Sequence, residues 1–217
     1  MKTIAQSRLL LLLLAVFVSC SPDKKIQLFN GENLENWNIF VSTPDVEPAE
    51  LFYVEDGVIN TIGKPHGYIH TKETYSNFKL HVEWRWTDEP TNSGVLINVR
   101  GKDMIWPNCI ECQLMHEHAG DIVLIGKGAG ITIKDSTYLI TSEENRYAVV
   151  PKFESVSENP PGEWNSYDIT SLDGEIEVLV NGVLQHTGTN MTLTEGRIAL
   201  QSEGSPMQFR NITLEPL

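Results

Sequence analysis

Alternating apolar and polar positions mark several short stretches of the chain. Residues 77–87 alternate strictly, and Glu83 and Arg85 lie among the polar residues of that stretch. Its opposite face carries Phe78, Leu80, Val82, Trp84 and Trp86. Side chains of a strand point to opposite faces in turn, so this pattern predicts a strand with one buried face. Residues 196–201 and 209–214 show the same alternation near the end of the chain.

Turn signals separate these stretches. Asn181-Gly182 lies between two apolar runs of residues 175–185, which is a strong short-range signal of a β-hairpin. No segment has the pattern of a long helix, and no Ser/Gly-rich linker divides the chain after residue 30. Many short strands in one unbroken block predict an all-β fold, an antiparallel β-sandwich or jelly roll.

The first twenty residues have the pattern of an export signal. Lys2 and Arg8 precede ten apolar residues, 9–18, a run too short to span a bilayer core that needs roughly 20 residues. Ser19 directly before Cys20 resembles the cleavage box of bacterial lipoproteins, in which the cysteine is lipidated. We therefore predict a lipoprotein signal peptide at 1–19, a short tether at 20–27 and one domain at 28–217. An ordinary signal peptide is the alternative.

Charge and export limit the partners of the mature chain. The formal net charge is -13, and loss of Lys2 and Arg8 with the signal peptide lowers it by two to -15. A chain this acidic repels phosphate backbones, so nucleic acid is excluded as a partner. The expected location is a bacterial membrane, to which the Cys20 lipid anchors the domain, in the periplasm or at the cell surface. The sequence leaves the oligomeric state open.

The stretch CIECQLMHEHAGD at 109–121 has the composition of a metal site. Residues 105–116 also alternate, which places Cys109 and Cys112 on opposite faces of a predicted strand. Three residues of a strand span ~10 Å, beyond the ~7 Å between the Cα atoms of a disulfide. The same separation prevents the two sulfurs from sharing a zinc ion. We therefore expect two free thiols.

The histidines that follow this strand leave two alternatives. His116 and His118 point to one side of a strand, and together with Asp121 they could hold a divalent metal cation. Glu111 is a further candidate ligand. The alternative is a strand end with solvated histidines.

Segments along most of the mature chain resemble one family. They include LFNGENLENW at 28–37, GYIHTKETYSNFKLHVEWRW at 67–86, NSGVLINVR at 92–100, IECQL at 110–114 and GRIALQSEG at 196–204. Together they are similar to the 3-keto-disaccharide hydrolase family, which has the concanavalin A-like jelly-roll fold. The resemblance implies cleavage of glycosides oxidised to a ketone at C3. A C3 ketone acidifies the C2 proton, so a base can remove it, the C1 substituent can leave, and water can add back.

Such a reaction requires a base, an electrophile and help for the leaving oxygen. With the resemblance, Glu111 is the expected base or metal ligand, and Gln113 and Arg85 are expected to bind sugar or enolate oxygens. The strand carries one carboxylate, where a conventional glycosidase needs two, which disfavours that class. Glu83 is the expected partner from another strand. The alternative for Glu83, Glu111 and Arg85 is a surface ion pair of little energetic value.

Four further residues are candidates for substrate binding. Asn92, Asn98 and Arg100 lie around the segment where the family commonly has an arginine, and Trp106 could stack on a sugar ring. Trp106 could equally cover the edge of the core. A carbohydrate-binding module without catalytic activity is the alternative function, because this fold supports both.

Overall fold

The computed structural model describes residues 25–217 and consists almost entirely of antiparallel strands. In chain order the elements are β1 Ile26–Gln27, β2 Trp37–Val41, α1 Pro48–Leu51, β3 Phe52–Glu55, β4 Val58–Thr61, β5 Gly67–Thr71, β6 Phe78–Trp86, β7 Gly94–Arg100, β8 Asn108–Gln113, β9 Ile122–Ile125, β10 Gly130–Ile133, β11 Ser136–Leu139, β12 Tyr147–Val150, β13 Asn165–Leu172, β14 Glu175–Val180, β15 Val183–Gly188, β16 Arg197–Ser202 and β17 Met207–Pro216. The predicted signal peptide and Cys20 lie outside the described residues.

Two sheets form the sandwich. One has the order β15-β14-β13-β6-β17-β4-β3, with β1 added against β17, and the other has the order β12-β9-β8-β7-β16-β5-β2. We call them the eight-stranded and the seven-stranded sheet; β10 and β11 form a separate ribbon. The predicted antiparallel jelly roll is confirmed. In the part of the chain that the structure describes, no helix is long and apolar enough to cross a membrane.

The strands that alternation predicted are present. The five apolar residues of β6 are buried, and its polar residues are exposed or half-buried. Asn181 and Gly182 connect β14 to β15 with φ of 50° and 78°, the left-handed conformations that a tight hairpin turn needs. The start of the domain differs from the prediction, because Ile26 and Gln27 pair with Leu214 and Thr213 of β17. The last two residues of the predicted tether therefore belong to a sheet.

Both faces of the seven-stranded sheet carry buried apolar residues. Its inner face joins the main core with residues such as Val95, Ile110 and Cys112. Its outer face carries a second cluster of buried residues: Tyr68, Leu96, Val99, Cys109, Val123, Ile125 and Ala199. Cys109 and Cys112 thus lie on opposite faces, and both are free and buried as predicted. Alternation in β8 indicated a polar outer face, and the structure pairs Glu111 of that face with the apolar residues Leu96 and Val123 of the neighbouring strands.

Candidate functional site

A cavity of about 340 Å³ opens on the outer face of the seven-stranded sheet. One part of its lining is polar or ionisable and consists of Asn92, Glu111, Gln113, Arg146 and Glu203. The other part is apolar and consists of Trp106, Val123, Ile125, Tyr147 and Val149. Concave sites with a few convergent polar groups on an otherwise apolar lining are typical of small-molecule binding. We call this cavity the site pocket.

Glu111 lies in the middle of the sheet. In β8 it is paired with Leu96 on one side and Val123 on the other, and it is only 3% exposed. Its side chain leans over Gly94 of the neighbouring strand, where a Cβ atom would lie 2.3 Å from Oε1 of Glu111. Such a contact is far below van der Waals distance, so the missing side chain of Gly94 creates the space that the carboxylate occupies.

The carboxyl group of Glu111 is strongly perturbed. Burial, together with the smaller effect of the charge of Glu203, raises its pKa to about 8. Oε1 is buried and has no hydrogen-bond partner among the described residues. A buried carboxylate without hydrogen bonds costs free energy when charged, so Glu111 holds its proton near neutral pH.

Glu203 is the second carboxyl group of the pocket, and it follows directly after β16. Burial raises its pKa to about 7, while the side-chain amides of Asn92 and Gln201 lower it. The oxygens Oδ1 of Asn92 and Oε1 of Gln201 are buried and lack partners within residues 25–217. Two acids with pKa values near 7 and 8 can exchange roles as proton donor and acceptor at physiological pH.

Sequence reasoning did not identify Glu203. The signal was present, because Arg197, Ala199, Gln201 and Glu203 alternate along β16 and beyond its end. Alternation places them on one face, but it does not show that this face adjoins that of Glu111.

Gln113 and Asn92, both expected to bind substrate, line the pocket. Oε1 of Gln113 accepts hydrogen bonds from the backbone N–H groups of Leu114 and Met115, both at 2.9 Å. These bonds end β8 earlier than the predicted strand, which extended to residue 116. They also leave the Nε2 group of Gln113 as the donor that the pocket can use.

Trp106 also lines the pocket, on a loop that several hydrogen bonds hold in place. Nη2 of Arg146 donates to the carbonyl oxygen of Trp106 at 3.0 Å. Earlier in the same loop, Arg197 and Tyr68 both donate to Oδ1 of Asp103, at 3.0 and 3.1 Å. The loop and the strand β12 are therefore linked across the mouth of the pocket. Nε of Arg146 is buried without a hydrogen-bond partner in the described structure, and it lies 3.8 Å from Oε2 of Glu143.

Glu83, the expected partner carboxylate from another strand, and Arg85 do not lie beside Glu111. Both belong to β6 of the eight-stranded sheet, on the side away from the core. Glu83 accepts hydrogen bonds from Arg210 at 2.6 Å and Asn211 at 2.8 Å. Arg85 donates to Gln208 at 2.8 Å and stacks on Trp164. Alternation assigns a residue to a face of its own sheet, but it does not show which of two sheets a strand joins.

Asn98 and Arg100 do not line the site pocket either. Asn98 lies at an irregularity of β7 with φ of 55°, and its Nδ2 donates to the carbonyl oxygen of Leu193 at 2.8 Å. Nε of Arg100 donates to the carbonyl oxygen of Glu195 at 2.9 Å. Both side chains fix the loop before β16, which gives them a structural role.

The predicted metal ligands are not brought together. Nδ1 of His118 lies 3.0 Å from Asp121, whereas Nδ1 of His116 lies 3.6 Å from Glu158. Oδ1 of Asp121 accepts the backbone N–H of Lys152 at 2.9 Å. Across residues 25–217, no group of three or more His, Cys, Asp or Glu side chains is arranged to hold a metal ion. The set of His116, His118, Asp121 and Glu111 therefore does not fit a metal site.

Comparison with solved structures supports the fold. A crystal structure of a candidate glycosyl hydrolase from Parabacteroides distasonis is 25% identical, covers 89% of this chain and 94% of its own, and has a TM-score of 0.63. A β-glucanase from Bacillus licheniformis is 12% identical over 91% of this chain and 99% of its own, with a TM-score of 0.58. A carbohydrate-binding module from Bacillus subtilis is 10% identical over 83% and 95%, also with a TM-score of 0.58.

No curated protein sequence is significantly similar to the chain. A family model does match, over residues 24–215, and it describes a 3-keto-alpha-glucoside-1,2-lyase-like domain. The match covers nearly all of the chain, including Glu111 and Glu203. The chain therefore belongs to the 3-keto-alpha-glucoside-1,2-lyase-like family.

Proposed function

We propose that this protein cleaves 3-keto-glycosides by removing the C2 proton, expelling the C1 substituent and then adding water. The family and the carbohydrate-active fold neighbours support a role on carbohydrates. The observation that carries the finer proposal is the pair Glu111 and Glu203, two carboxyl groups with raised pKa values in one pocket.

The reaction balances with this pair. Glu111 takes the C2 proton, and the electrons of that C–H bond form an enolate with the C3 ketone. The enolate then forms the C1–C2 double bond as the C1–O bond breaks, and Glu203 donates a proton to the leaving oxygen. Water adds across the double bond, its hydroxyl to C1 and a proton to C2, so the net reaction is hydrolysis.

Environment supports this division of roles. Glu111 is the stronger base because neighbouring side chains stabilise its charged form less than that of Glu203. Asn92 and Gln201 lie beside the carboxyl group of Glu203 and lower its pKa, which suits a group that releases a proton. The reactive form, with Glu111 charged and Glu203 protonated, is one of two arrangements of a single shared proton.

Arg146 is the candidate electrophile. It is the cationic residue in the lining of the pocket, and its buried Nε has no hydrogen-bond partner among residues 25–217, with Oε2 of Glu143 at 3.8 Å. A fixed positive charge and the Nε2 donor of Gln113 would stabilise the oxygen on which enolate charge develops. Arg146→Lys keeps the charge but loses the planar guanidinium, so we expect a large fall in kcat. Arg85→Lys on the other sheet is the matched control.

A conventional glycosidase mechanism is the second candidate. The specific observation in its favour is that the pocket contains two carboxyl groups, the number that such enzymes require. A binding module without catalytic activity is the third candidate. It has less support, because two acids with raised pKa values destabilise the folded protein at neutral pH without contributing to passive binding.

One assay separates the three candidates. The protein lacking residues 1–20 is mixed with a 3-keto-glucoside or with the same glucoside unoxidised, and release of the aglycone is followed. Cleavage of the keto sugar alone supports elimination, and equal or faster cleavage of the unoxidised sugar indicates a conventional glycosidase. Binding without cleavage of either indicates a binding module.

A further inference from the structure

The proposed roles fix how a keto sugar lies in the site pocket. Glu203 serves the leaving oxygen at C1, Glu111 removes the proton from C2, and Arg146 faces the oxygen at C3. Glu203 follows β16, Glu111 belongs to β8, and Arg146 precedes β12. The sheet order from β16 through β7, β8 and β9 to β12 therefore places Glu111 between the other two. Carbons C1, C2 and C3 then run from the β16 side of the pocket toward β12.

The lining between Glu111 and the β12 side of the pocket is largely apolar. Val123 is paired with Glu111 across β8 and β9, and Val149 is paired with Val123 across β9 and β12. In the next row Tyr147 is paired with Ile125. Neighbouring strands lie ~4.8 Å apart, so this surface extends ~10 Å from the backbone of Glu111. It consists of the following residues, which we call the apolar wall: Trp106, Val123, Ile125, Tyr147 and Val149.

The apolar wall is buried at β9 and opens to solvent at β12. Val123 is 5% exposed and Ile125 is 3% exposed, whereas Val149 is 46% and Tyr147 is 72% exposed. The side chains of the two valines and the isoleucine cannot form hydrogen bonds. This part of the pocket can therefore contact the carbon atoms of a ligand, but it offers few partners to a hydroxyl group.

We propose that the apolar wall binds the C5–C6 end of the keto sugar, and that 6-deoxy-3-keto-hexosides are substrates at least as good as 3-keto-hexosides. This inference rests on the proposed function. C4 follows C3 in the sugar ring, so C4 and C5, with C6 attached, continue from the end of the sugar that lies at Arg146. The polar lining is engaged with C1, C2 and C3, and the wall is the lining that remains on the β12 side.

The chemistry of the wall determines what it can recognise at C6. A site that forms a hydrogen bond to a substrate hydroxyl rejects the analogue without it by roughly 10⁴-fold or more, because its own polar group is left unpaired. Aliphatic side chains leave no polar group unpaired, so loss of the C6 hydroxyl should have no such effect. Loss of the C6 carbon removes apolar contact, and one methylene in an apolar pocket changes turnover by roughly 10- to 200-fold. The wall should therefore recognise C6 as a carbon atom and not as a hydroxyl group.

Three methyl 3-keto-glycosides test the inference: the gluco compound, its 6-deoxy analogue and the xylo compound, which lacks C6. All three have the same leaving group, so differences in kcat/KM report on contacts with the sugar. We expect the 6-deoxy compound to equal or exceed the gluco compound, and the xylo compound to be about tenfold or more below the 6-deoxy compound. A 6-deoxy value below the gluco value would show that a polar group binds the C6 hydroxyl and would overturn the inference. Equal values for the xylo and 6-deoxy compounds would also overturn it, because the wall would then make no contact with C6.

A matched pair of variants locates the effect. Val149→Thr keeps the shape of the side chain but adds a hydroxyl group to the wall. We expect it to lower the ratio of 6-deoxy to gluco turnover by about threefold to tenfold, the net effect of one hydrogen bond. Val183→Thr, at an exposed edge-strand position on the other sheet, should leave the ratio unchanged. An unchanged ratio in Val149→Thr would contradict binding of C6 at the wall.

The same assay separates failure of the inference from failure of the proposed function. Cleavage of the three compounds in another order of preference overturns the inference and leaves the proposed function intact. If none of the three compounds is cleaved, the proposed function fails and the inference with it.

Discussion

Gly94 and Glu111 occupy neighbouring strands, and a Cβ atom on Gly94 would lie 2.3 Å from Oε1 of Glu111. The space that this glycine leaves is therefore part of the site. Because Gly94 is in a regular strand position, alanine there should leave the sheet intact and displace the carboxyl group. We expect Gly94→Ala to lower kcat by about 10²-fold, since ~1 Å of misplacement can have that effect.

The control for this prediction is a double variant. If Gly94→Ala acts through Glu111, then it should have little further effect in a protein that already carries Glu111→Gln. Circular dichroism of both variants should match that of the unmodified protein. Independent, multiplicative losses in the double variant would show that Gly94 matters for another reason.

Removing either carboxyl group should abolish most activity. Glu111→Gln and Glu203→Gln keep the size of each side chain but remove its ability to transfer a proton. We expect each to lower kcat at least ~10²-fold in the 3-keto-glucoside assay. Glu83→Gln, which alters a carboxylate on the other sheet, should retain activity. A large loss in Glu83→Gln with full activity in Glu203→Gln would contradict the assigned pair.

The pH dependence of kcat/KM should be bell-shaped. One of the two acids must be charged and the other protonated, and their pKa values are about 8 for Glu111 and about 7 for Glu203. Activity should therefore peak between pH 7 and 8 and fall on both sides. A profile that is flat from pH 5 to 9 would show that these groups do not both titrate in the reaction.

Stability should also depend on pH through Glu111. The pKa of Glu111 in the folded protein, about 8, lies above the ordinary value of 4.5. Its contribution to the free energy of unfolding is therefore fully present below pH 4.5 and is lost as the pH rises toward 8. One pKa unit corresponds to ~1.4 kcal/mol, so at high pH the effect amounts to several kcal/mol at most. We expect the Tm of Glu111→Gln relative to the unmodified protein to increase steadily from pH 5 to pH 8.

Glu83 provides the contrast for the stability measurement. Burial opposes its ionisation, but hydrogen bonds from Asn211 and Arg210 outweigh burial and lower its pKa. A lowered pKa stabilises the folded state above pH 4.5, and this contribution is lost only as the pH falls below that value. The Tm difference for Glu83→Gln should therefore show no trend between pH 5 and 8. A trend in both variants would point to a general effect of charge.

Export and anchoring give a prediction at the other end of the chain. If Cys20 is lipidated, the full-length protein expressed in a bacterial host should fractionate with membranes and incorporate labelled palmitate. Cys20→Ala should remove the label. A labelled, membrane-bound Cys20→Ala protein would contradict the proposed anchor.

The sequence predicted the strands well and the site only in part. The period-two pattern of β6 follows from one buried face, and the turn at Asn181-Gly182 follows from residues that accept left-handed conformations. Alternation placed Glu111 and Gln113 on one face of β8, and the family resemblance made them candidates for the site. These features are local, so they can be predicted from residues that are close together in the sequence.

The pairing of Glu111 with Glu203 is not local. It depends on β7 lying between β8 and β16, with a glycine at the position where Glu111 leans across. The alternation of β6 is as regular as that of β8, yet β6 belongs to the eight-stranded sheet, so Glu83 and Arg85 lie on that sheet. Strand order depends on long-range packing, which a single sequence does not display.

Incorporation of deuterium at C2 is the most direct test of the elimination mechanism. A 3-keto-glucoside is cleaved in D₂O, and the released keto sugar is examined by NMR and mass spectrometry before its C2 proton exchanges unaided. We expect one deuterium at C2 in each product molecule, because the base removes the original proton and solvent supplies the new one. Cleavage that retains the original C2 proton would show direct displacement at C1 and would contradict the proposed mechanism.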